Sequence, residues 1–383
     1  MQSAGLAPGL AGRRLVKLKH HRRELELCTY CPKLCRFACP VAEVERRETV
    51  TPWAKMSLAG MVRNGRLELD DDVAEVMYHC LGCQHCYIHC RHGVDVPTTL
   101  VAGRRLAVEL GVAPEPVQQV VDRLQAGADT RGNDLRQMLD AEADAESRQQ
   151  EAQAVLFAGC RLLARPGSLR RHLQVLGRLG IDYLAVFDAE PLCCGLPYWW
   201  AGDHDAFRQQ ARRLARRLGA YRRVVCPCPS CAMTLRLLYP QVDATPAPEV
   251  LHLVELLAPQ VEKNPPPQPL AGSFVFHHPC TLARHLELEQ IVDQLLGRLL
   301  AEPLASTSWS GKDTFCCGGG GLVPEMLPEV ATQVAARRMT QLEASGAGQV
   351  ISSCPGCLDQ LESVPDGLET LDLIEVVARA YGM

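Results

Sequence analysis

RRVVCPCPSC, residues 222–231, begins as a short β-branched apolar run and ends in a Cys-Pro-x-Cys turn. AGQVISSCPGC, residues 347–357, repeats that pattern, with Cys354 and Cys357 in the places of Cys228 and Cys231. Outward from this pair the two halves keep matching. AVLFAGC (154–160) pairs with FVFHHPC (274–280), each a buried-strand run that stops at a cysteine. Between these lie amphipathic stretches, HDAFRQQARRLARRLG and PEVATQVAARRMTQLEASG, with glycine stops at Gly219 and Gly346. VLHLVELL (250–257) and TLDLIEVV (370–377) read as a shared closing helix. Strand and helix alternating in this way, twice over, predict two repeated α/β domains with mostly parallel sheets. Their expected limits are 153–263 and 274–383, joined by the stiff Pro-rich linker NPPPQPLAGS at 264–273.

Ahead of the repeats, residues 15–125 read as a helical domain. Thr51 caps and Pro52 opens WAKMSLAGMVR, which Asn64-Gly65 stops. DDVAEVMYH starts in an Asp-rich turn, and Pro97 opens TTLVAGRRLAVEL, closed by Gly111. Residues 126–152 are polar and read as a linker or surface helix, and the small, Gly-rich residues 1–12 as disordered.

The 383 residues include 19 cysteines, and 18 of them fall on ligand-like spacings. Cys80-x2-Cys83-x2-Cys86-x3-Cys90 has the bacterial ferredoxin pattern, in which the fourth cysteine serves the other cluster of a pair. Cys28-x2-Cys31-x3-Cys35-x3-Cys39-Pro40 is a second such run, one residue longer in its middle gap, and Arg91 stands where a proline usually follows Cys90. The expected ligand sets for two cubane [4Fe-4S] clusters are therefore Cys39, Cys80, Cys83 and Cys86 for one, and Cys28, Cys31, Cys35 and Cys90 for the other. Tetrahedral zinc is the competing reading of such CxxC pairs. The helical gap between the two runs marks a helical ferredoxin rather than a β-rich one.

Each repeat carries five further cysteines in one order: Cys160, then Cys193-Cys194-Gly195, then Cys228 and Cys231; and Cys280, then Cys316-Cys317-Gly318, then Cys354 and Cys357. Neighbouring side chains of an extended strand point to opposite faces, so both sulfurs of a Cys-Cys pair reach one centre only through a sharp turn. The following glycines allow that turn. Five thiolates are one more than a cubane needs, which points to an opened or unusual cluster, or to an iron left accessible to substrate. Vicinal disulfides or buried fillers are the competing reading of the Cys-Cys pairs. Cys226 aligns with Ser352 and is taken as a non-ligand. His277 and His278, beside Cys280, are candidates to orient a bound group or pass protons, against a plain structural role. Trp199 and Trp200 read as core or interface residues, and the Arg212, Arg213, Arg216 and Arg217 face as a solvated helix side.

Bulk composition excludes other classes. A formal charge of −4 and 5% aromatic residues give no basis for nucleic-acid binding. No run of apolar residues is long enough for a direct membrane span. The charged LVKLKHHRRELEL after Arg13-Arg14 does not suit an export signal, so a cytoplasmic location and metal-bound thiols are expected over disulfides. The basic run Arg13–Arg23 is either a solvated lead-in or a docking strip for an acidic partner or anionic lipid.

Together the motifs resemble the CCG-domain iron–sulfur oxidoreductases. The layout, a ferredoxin part fused ahead of two five-cysteine repeats, is similar to the form of heterodisulfide reductase in which ferredoxin-like and catalytic parts share one chain. The resemblance implies that each five-cysteine set (Cys160, Cys193, Cys194, Cys228, Cys231 and Cys280, Cys316, Cys317, Cys354, Cys357) holds a noncubane [4Fe-4S] cluster. It implies that a disulfide is cleaved between those clusters in one-electron steps fed by the cubanes. It also implies a flavoprotein or a membrane cytochrome or quinone-linked redox subunit as partner, with placement on the inner face of a membrane through that partner. Iron–sulfur subunits of glycolate, lactate and glycerol-3-phosphate oxidoreductases share the layout but often lack a cysteine in the first repeat. Here that repeat is complete, which favours the reductase over a non-catalytic electron conduit. No GxGxxG fingerprint follows a strand, so electrons are expected from a partner.

Overall fold

The computed structural model describes residues 18–144, 147–148, 152–181 and 184–383. The expected disorder of residues 1–12, and Arg13, Arg14 and Lys17 of the basic run, lie outside the described residues.

The fold is mostly helical with two small parallel sheets. In the front part, Thr51 accepts a hydrogen bond from Ala54 N and starts the Pro52–Arg63 helix. Asp70 does the same for Asp71–Tyr78, and Asp95 for Val96–Leu110, which Gly111 closes. Met56, Ala59, Met77 and Leu100 pack as the core of this part.

The first repeat contains β1 (Ala154–Leu156), β2 (Leu184–Val186), β3 (Arg223–Cys226) and β4 (Glu249–His252), in the order β2-β1-β3-β4 with every pair parallel. The second contains β5 (Phe274–Phe276), β6 (Gln349–Ser352) and β7 (Glu369–Asp372), again parallel, in the order β5-β6-β7. The expected closing helices are corrected here. Val250-Leu251-His252 and Thr370-Leu371-Asp372 belong to β4 and β7, and only Leu253–Lys263 and Leu373–Ala380 are helical. His252 and Asp372 accept from Val254 N and Ile374 N, so a cap turns each strand directly into its helix.

One apolar core runs through both repeats and into the front part, from Tyr78 and Val101 through Val155 and Val225 to Leu295 and Ile374. Within 126–144, the Leu135–Glu142 helix buries Leu135 and Leu139 in that same core. In the Pro-rich stretch, Leu270 N donates to Leu299 O at 2.7 Å, tying it to the second repeat.

Candidate metal centres and the cavity between the repeats

The eight ferredoxin-type cysteines gather as two groups. Cys39, Cys80, Cys83 and Cys86 line one small cavity of about 20 Å³. Cys28, Cys31, Cys35 and Cys90 line another of the same size, with Cys86 on its wall. The last cysteine of each run thus crosses to the other group, as the spacing predicts. The first group is the inner one: Cys39, Cys83 and Cys86 are buried, whereas all four of the second group are partly exposed.

Three buried cations surround the inner group. Lys55 Nζ lies 4.0 Å from Cys39 Sγ and donates to His79 O. Arg284, from the second repeat, donates to Cys83 O at 2.6 Å and to Lys312 O and Thr314 O at 2.8 Å. Arg104 donates to Met77 O (3.1 Å), Cys80 O (2.9 Å), Trp200 O (2.9 Å) and Gly321 O (3.1 Å). One guanidinium therefore bridges the front part and both repeats. Close backbone approach completes the junction: a Cβ on Gly320 would overlap Leu81 O.

The five-cysteine sets sit beyond the carboxyl ends of the strands, where parallel sheets habitually place ligands. Cys160 follows β1, Cys193-Cys194 follow β2, and Cys228 and Cys231 follow β3. Cys280 follows β5, and Cys354 and Cys357 follow β6. Both Cys-Cys pairs make the same turn. Gly195 (φ +78°) and Gly318 (φ +94°) adopt left-handed backbone, and their amides donate to Cys193 Sγ at 3.4 Å and Cys316 Sγ at 3.5 Å. Cys160 and Cys193 sulfurs are 4.0 Å apart, and those of Cys317 and Cys357 3.1 Å.

Nine of these ten cysteines line a single cavity of about 110 Å³ between the repeats, with Cys193 behind Cys160. The two sets meet at Cys228 and Cys354. The second set also meets the inner ferredoxin group. Cys316 lies by Cys83 and, against burial, pulls that thiol down to about 6, with Arg284 and Lys55 helping; Cys316 itself is pushed up, first by Cys280.

All 19 thiols are free. Buried, converging soft thiols suit iron–sulfur clusters, and sets of five exceed the four ligands of tetrahedral zinc. The residues present therefore fit such clusters.

The remaining cavity wall is polar on one side. Arg161, directly after Cys160, pairs with Glu325 at 3.0 Å, and Thr130 donates to the same Glu325 Oε1 at 2.6 Å. Burial disfavours the Arg161 charge, but Glu325, Cys160 and Asp359 outweigh it and hold the guanidinium protonated. Behind it Arg165 pairs with Asp359 (2.9 Å) and Glu362 (2.7 Å), fastening the first repeat to the second.

The other residues singled out divide. His277 lies with Cys317 and Cys357 and accepts from Arg338 Nε at 3.1 Å; burial pushes its pKa down to about 4. His278 turns away to Asp293 at 3.0 Å. Trp199 packs on Phe207 in the core, whereas Trp200 lines the cavity against Gly82. Cys226 is fully buried and absent from the cavity wall. Arg104, Lys55, Thr130, Arg161, Arg284 and Glu325 were missed by sequence reasoning. Only Arg161 carries a local signal, its place next to Cys160.

Comparison with known proteins follows the same division. The cysteine-rich CCG domain model matches residues 154–236 and 274–362, and the 4Fe-4S dicluster domain model matches 24–94. A dihydromethanophenazine:CoB–CoM heterodisulfide reductase subunit of Methanosarcina barkeri is 27% identical over 94% of this chain and 95% of its own length. A fumarate reductase (CoM/CoB) subunit of Methanothermobacter marburgensis is 25% identical over 94% of this chain and 73% of its own length. A probable membrane-anchored ferredoxin of Chromohalobacter salexigens is 28% identical over 80% of this chain, which spans 48% of that protein. No helix among the described residues is long and apolar enough to cross a membrane. Two CCG domains behind a 4Fe-4S dicluster domain, with a heterodisulfide reductase relative matched nearly end to end, place the chain in the CCG-domain iron–sulfur oxidoreductase family.

Proposed function

We propose that this iron–sulfur electron-transfer protein is a reductase of disulfide-type substrates, with the reaction in the cavity between the CCG domains. The observation that carries this reading is that both five-cysteine sets are complete and open onto one cavity. A conduit needs a path through the protein; two redox sites facing one another are what a two-electron cleavage requires.

In this reading Cys39, Cys80, Cys83 and Cys86, and Cys28, Cys31, Cys35 and Cys90, hold two cubane clusters, and each CCG set holds a noncubane [4Fe-4S] cluster through its five thiolates. When bound, the clusters would supply electrons singly. The overall change is RS–SR′ plus two electrons and two protons to RSH and R′SH. The two five-cysteine sets face one another across the cavity and would hold the clusters on either side of the disulfide. Leu196, Met233 and Trp200 keep the apolar side of the cavity dry, and Thr130 with the Arg161–Glu325 pair gives the substrate a polar face to orient on. Contact of Cys83 with Cys316 supports electron entry through the second CCG domain, from the inner cubane group. The electrons come from a partner redox subunit.

The test uses anaerobically purified protein. Iron analysis should give about 16 atoms per chain, four for each of four clusters. Dithionite-reduced protein should then be reoxidised by a small-molecule disulfide. Full iron content without reoxidation across a broad disulfide panel leaves a non-catalytic electron conduit and overturns the reductase reading; zinc in the CCG sets overturns both.

A further inference from the structure

Five large hydrophobic side chains are exposed among the described residues, and three of them stand in one ligand loop: Tyr30 (87%), Leu34 (51%) and Phe37 (56%). That loop, Cys28 to Cys39, supplies three of the four thiols of the outer cubane group. No amphipathic helix presents these residues; they stand between the cysteines of the loop itself. Soluble surfaces seldom spend three such side chains in ten residues without a partner to cover them.

The rim is basic. Residues 18–39 hold five Lys/Arg against two Glu, in a chain whose formal charge is −4. Arg22, Arg23, His20 and His92 share a groove with Tyr30, Cys31, Glu24 and Glu26; Arg22 pairs with Glu26 at 2.6 Å, and Lys33 and Arg36 both pair with Glu48 at 2.9 Å. Arg23 and Arg91 are exposed and have no carboxylate partner among the described residues. An apolar centre with a like-charged rim is the usual anatomy of a transient docking surface, in which the charges steer encounter and the centre excludes water.

We propose that Tyr30, Leu34 and Phe37, together with Arg23 and with Arg91 beside Cys90 of the same outer set, form the docking site for a small redox protein with an acidic rim around its exposed cofactor edge. Electrons enter or leave the chain there, through the outer four-cysteine site. This rests on the reading of that site as a redox centre, and commits to a protein rather than an anionic membrane. The apolar residues lie on a compact loop too short for the broad apolar face that interfacial binding needs.

The experiment uses the whole iron-loaded chain and an acidic flavodoxin as probe. One electron passes per encounter: the anionic flavin hydroquinone becomes the neutral semiquinone, and the outer site is reduced. Bleaching of the chain is followed by stopped flow, with dithionite as a reductant that needs no docking. The wild-type rate with flavodoxin should fall steeply with salt. Arg23→Glu with Arg91→Glu should slow it at least tenfold at low salt, as should Tyr30→Ser with Leu34→Ser and Phe37→Ser. Both variants should keep the iron content and dithionite rate of wild type. Met61→Ser with Leu110→Ser, exposed elsewhere, should change nothing. Wild-type flavodoxin rates in the charge-reversal variant overturn the proposal. So does flotation of the wild-type chain with phosphatidylserine vesicles that the same substitutions abolish, since that assigns the surface to a membrane. Loss of reduction by dithionite as well would instead sink the redox reading of the outer site.

Discussion

Replacing Arg104 by methionine keeps the aliphatic bulk and deletes a guanidinium that is 1% exposed. Four main-chain oxygens, of Met77, Cys80, Trp200 and Gly321, lose their donor at once. Hydrogen bonds from a charged donor contribute about 1.5–3 kcal/mol each, so the gross loss is about 6–12 kcal/mol. Returning the buried charge to water offsets several kcal/mol of this, which leaves a net cost of about 3–5 kcal/mol, as when one partner of a buried ion pair is removed. Arg104→Lys keeps the charge but not the planar fork and should lose about half as much. Anaerobic urea unfolding can be followed by tryptophan fluorescence, because Trp200 lies 5.9 Å from the guanidinium. At a slope of about 3 kcal/mol per M, the Arg104→Met midpoint should fall by about 1–1.7 M. Arg212→Met, on an exposed helix face, serves as control. A midpoint for Arg104→Met within roughly 0.3 M of wild type, or an equal fall for the control, would refute the claim that this side chain locks the three parts together.

Gly320→Ala sets a Cβ against Leu81 O, where only backbone can yield, and should cost at least the 1–3 kcal/mol or so of overpacking; Gly297→Ala, in an open helix position, should instead stabilise by about 0.5–1 kcal/mol in the same titration. Cys226→Ser should change stability by less than about 1 kcal/mol and leave iron content intact, since the matching position of the second repeat already holds a serine, Ser352, which donates to His277 O at 3.3 Å, whereas Cys228→Ser should lose iron from the first CCG domain. His204 is buried against Trp199, and burial, with Arg105 and Arg208 nearby, pushes its pKa down to about 4. Its folded value lies below the unfolded one, so the unfolded chain takes up the proton first and stability drains away as pH falls from about 6.5 to about 4. His204→Gln should flatten that decline by about 2 kcal/mol at pH 4, and parallel pH–stability curves for the two proteins would contradict this.

The cysteine runs and the strand–helix alternation are local patterns, and local patterns survive in sequence. Cluster-ligand spacing is set by how a loop of two or three residues curls, so the pairing of Cys39 with Cys80, Cys83 and Cys86 was legible from the chain alone. So was the turn after each Cys-Cys pair, because Gly195 and Gly318 mark the one backbone conformation that brings both sulfurs round. The error over VLHLVELL and TLDLIEVV has an equally local cause. A four-residue edge strand that enters its helix with no turn residue between them shows one unbroken apolar run, and only the capping side chains of His252 and Asp372 mark the change.

Residue types and spacings in the sequence determined which thiols belong together and which secondary structure carries them. The tertiary structure alone decided that the two thiol sets of the repeats face one cavity, that Cys83 abuts Cys316, and that Thr130, Arg161 and Glu325 close the polar wall. Thr130 and Glu325 are 195 positions apart, and Arg104 and Gly321 are 217 apart. No periodicity spans such distances. Their meeting follows from how the three parts bury one continuous core, and the buried Arg104 has meaning only once the carbonyls it holds have been brought together.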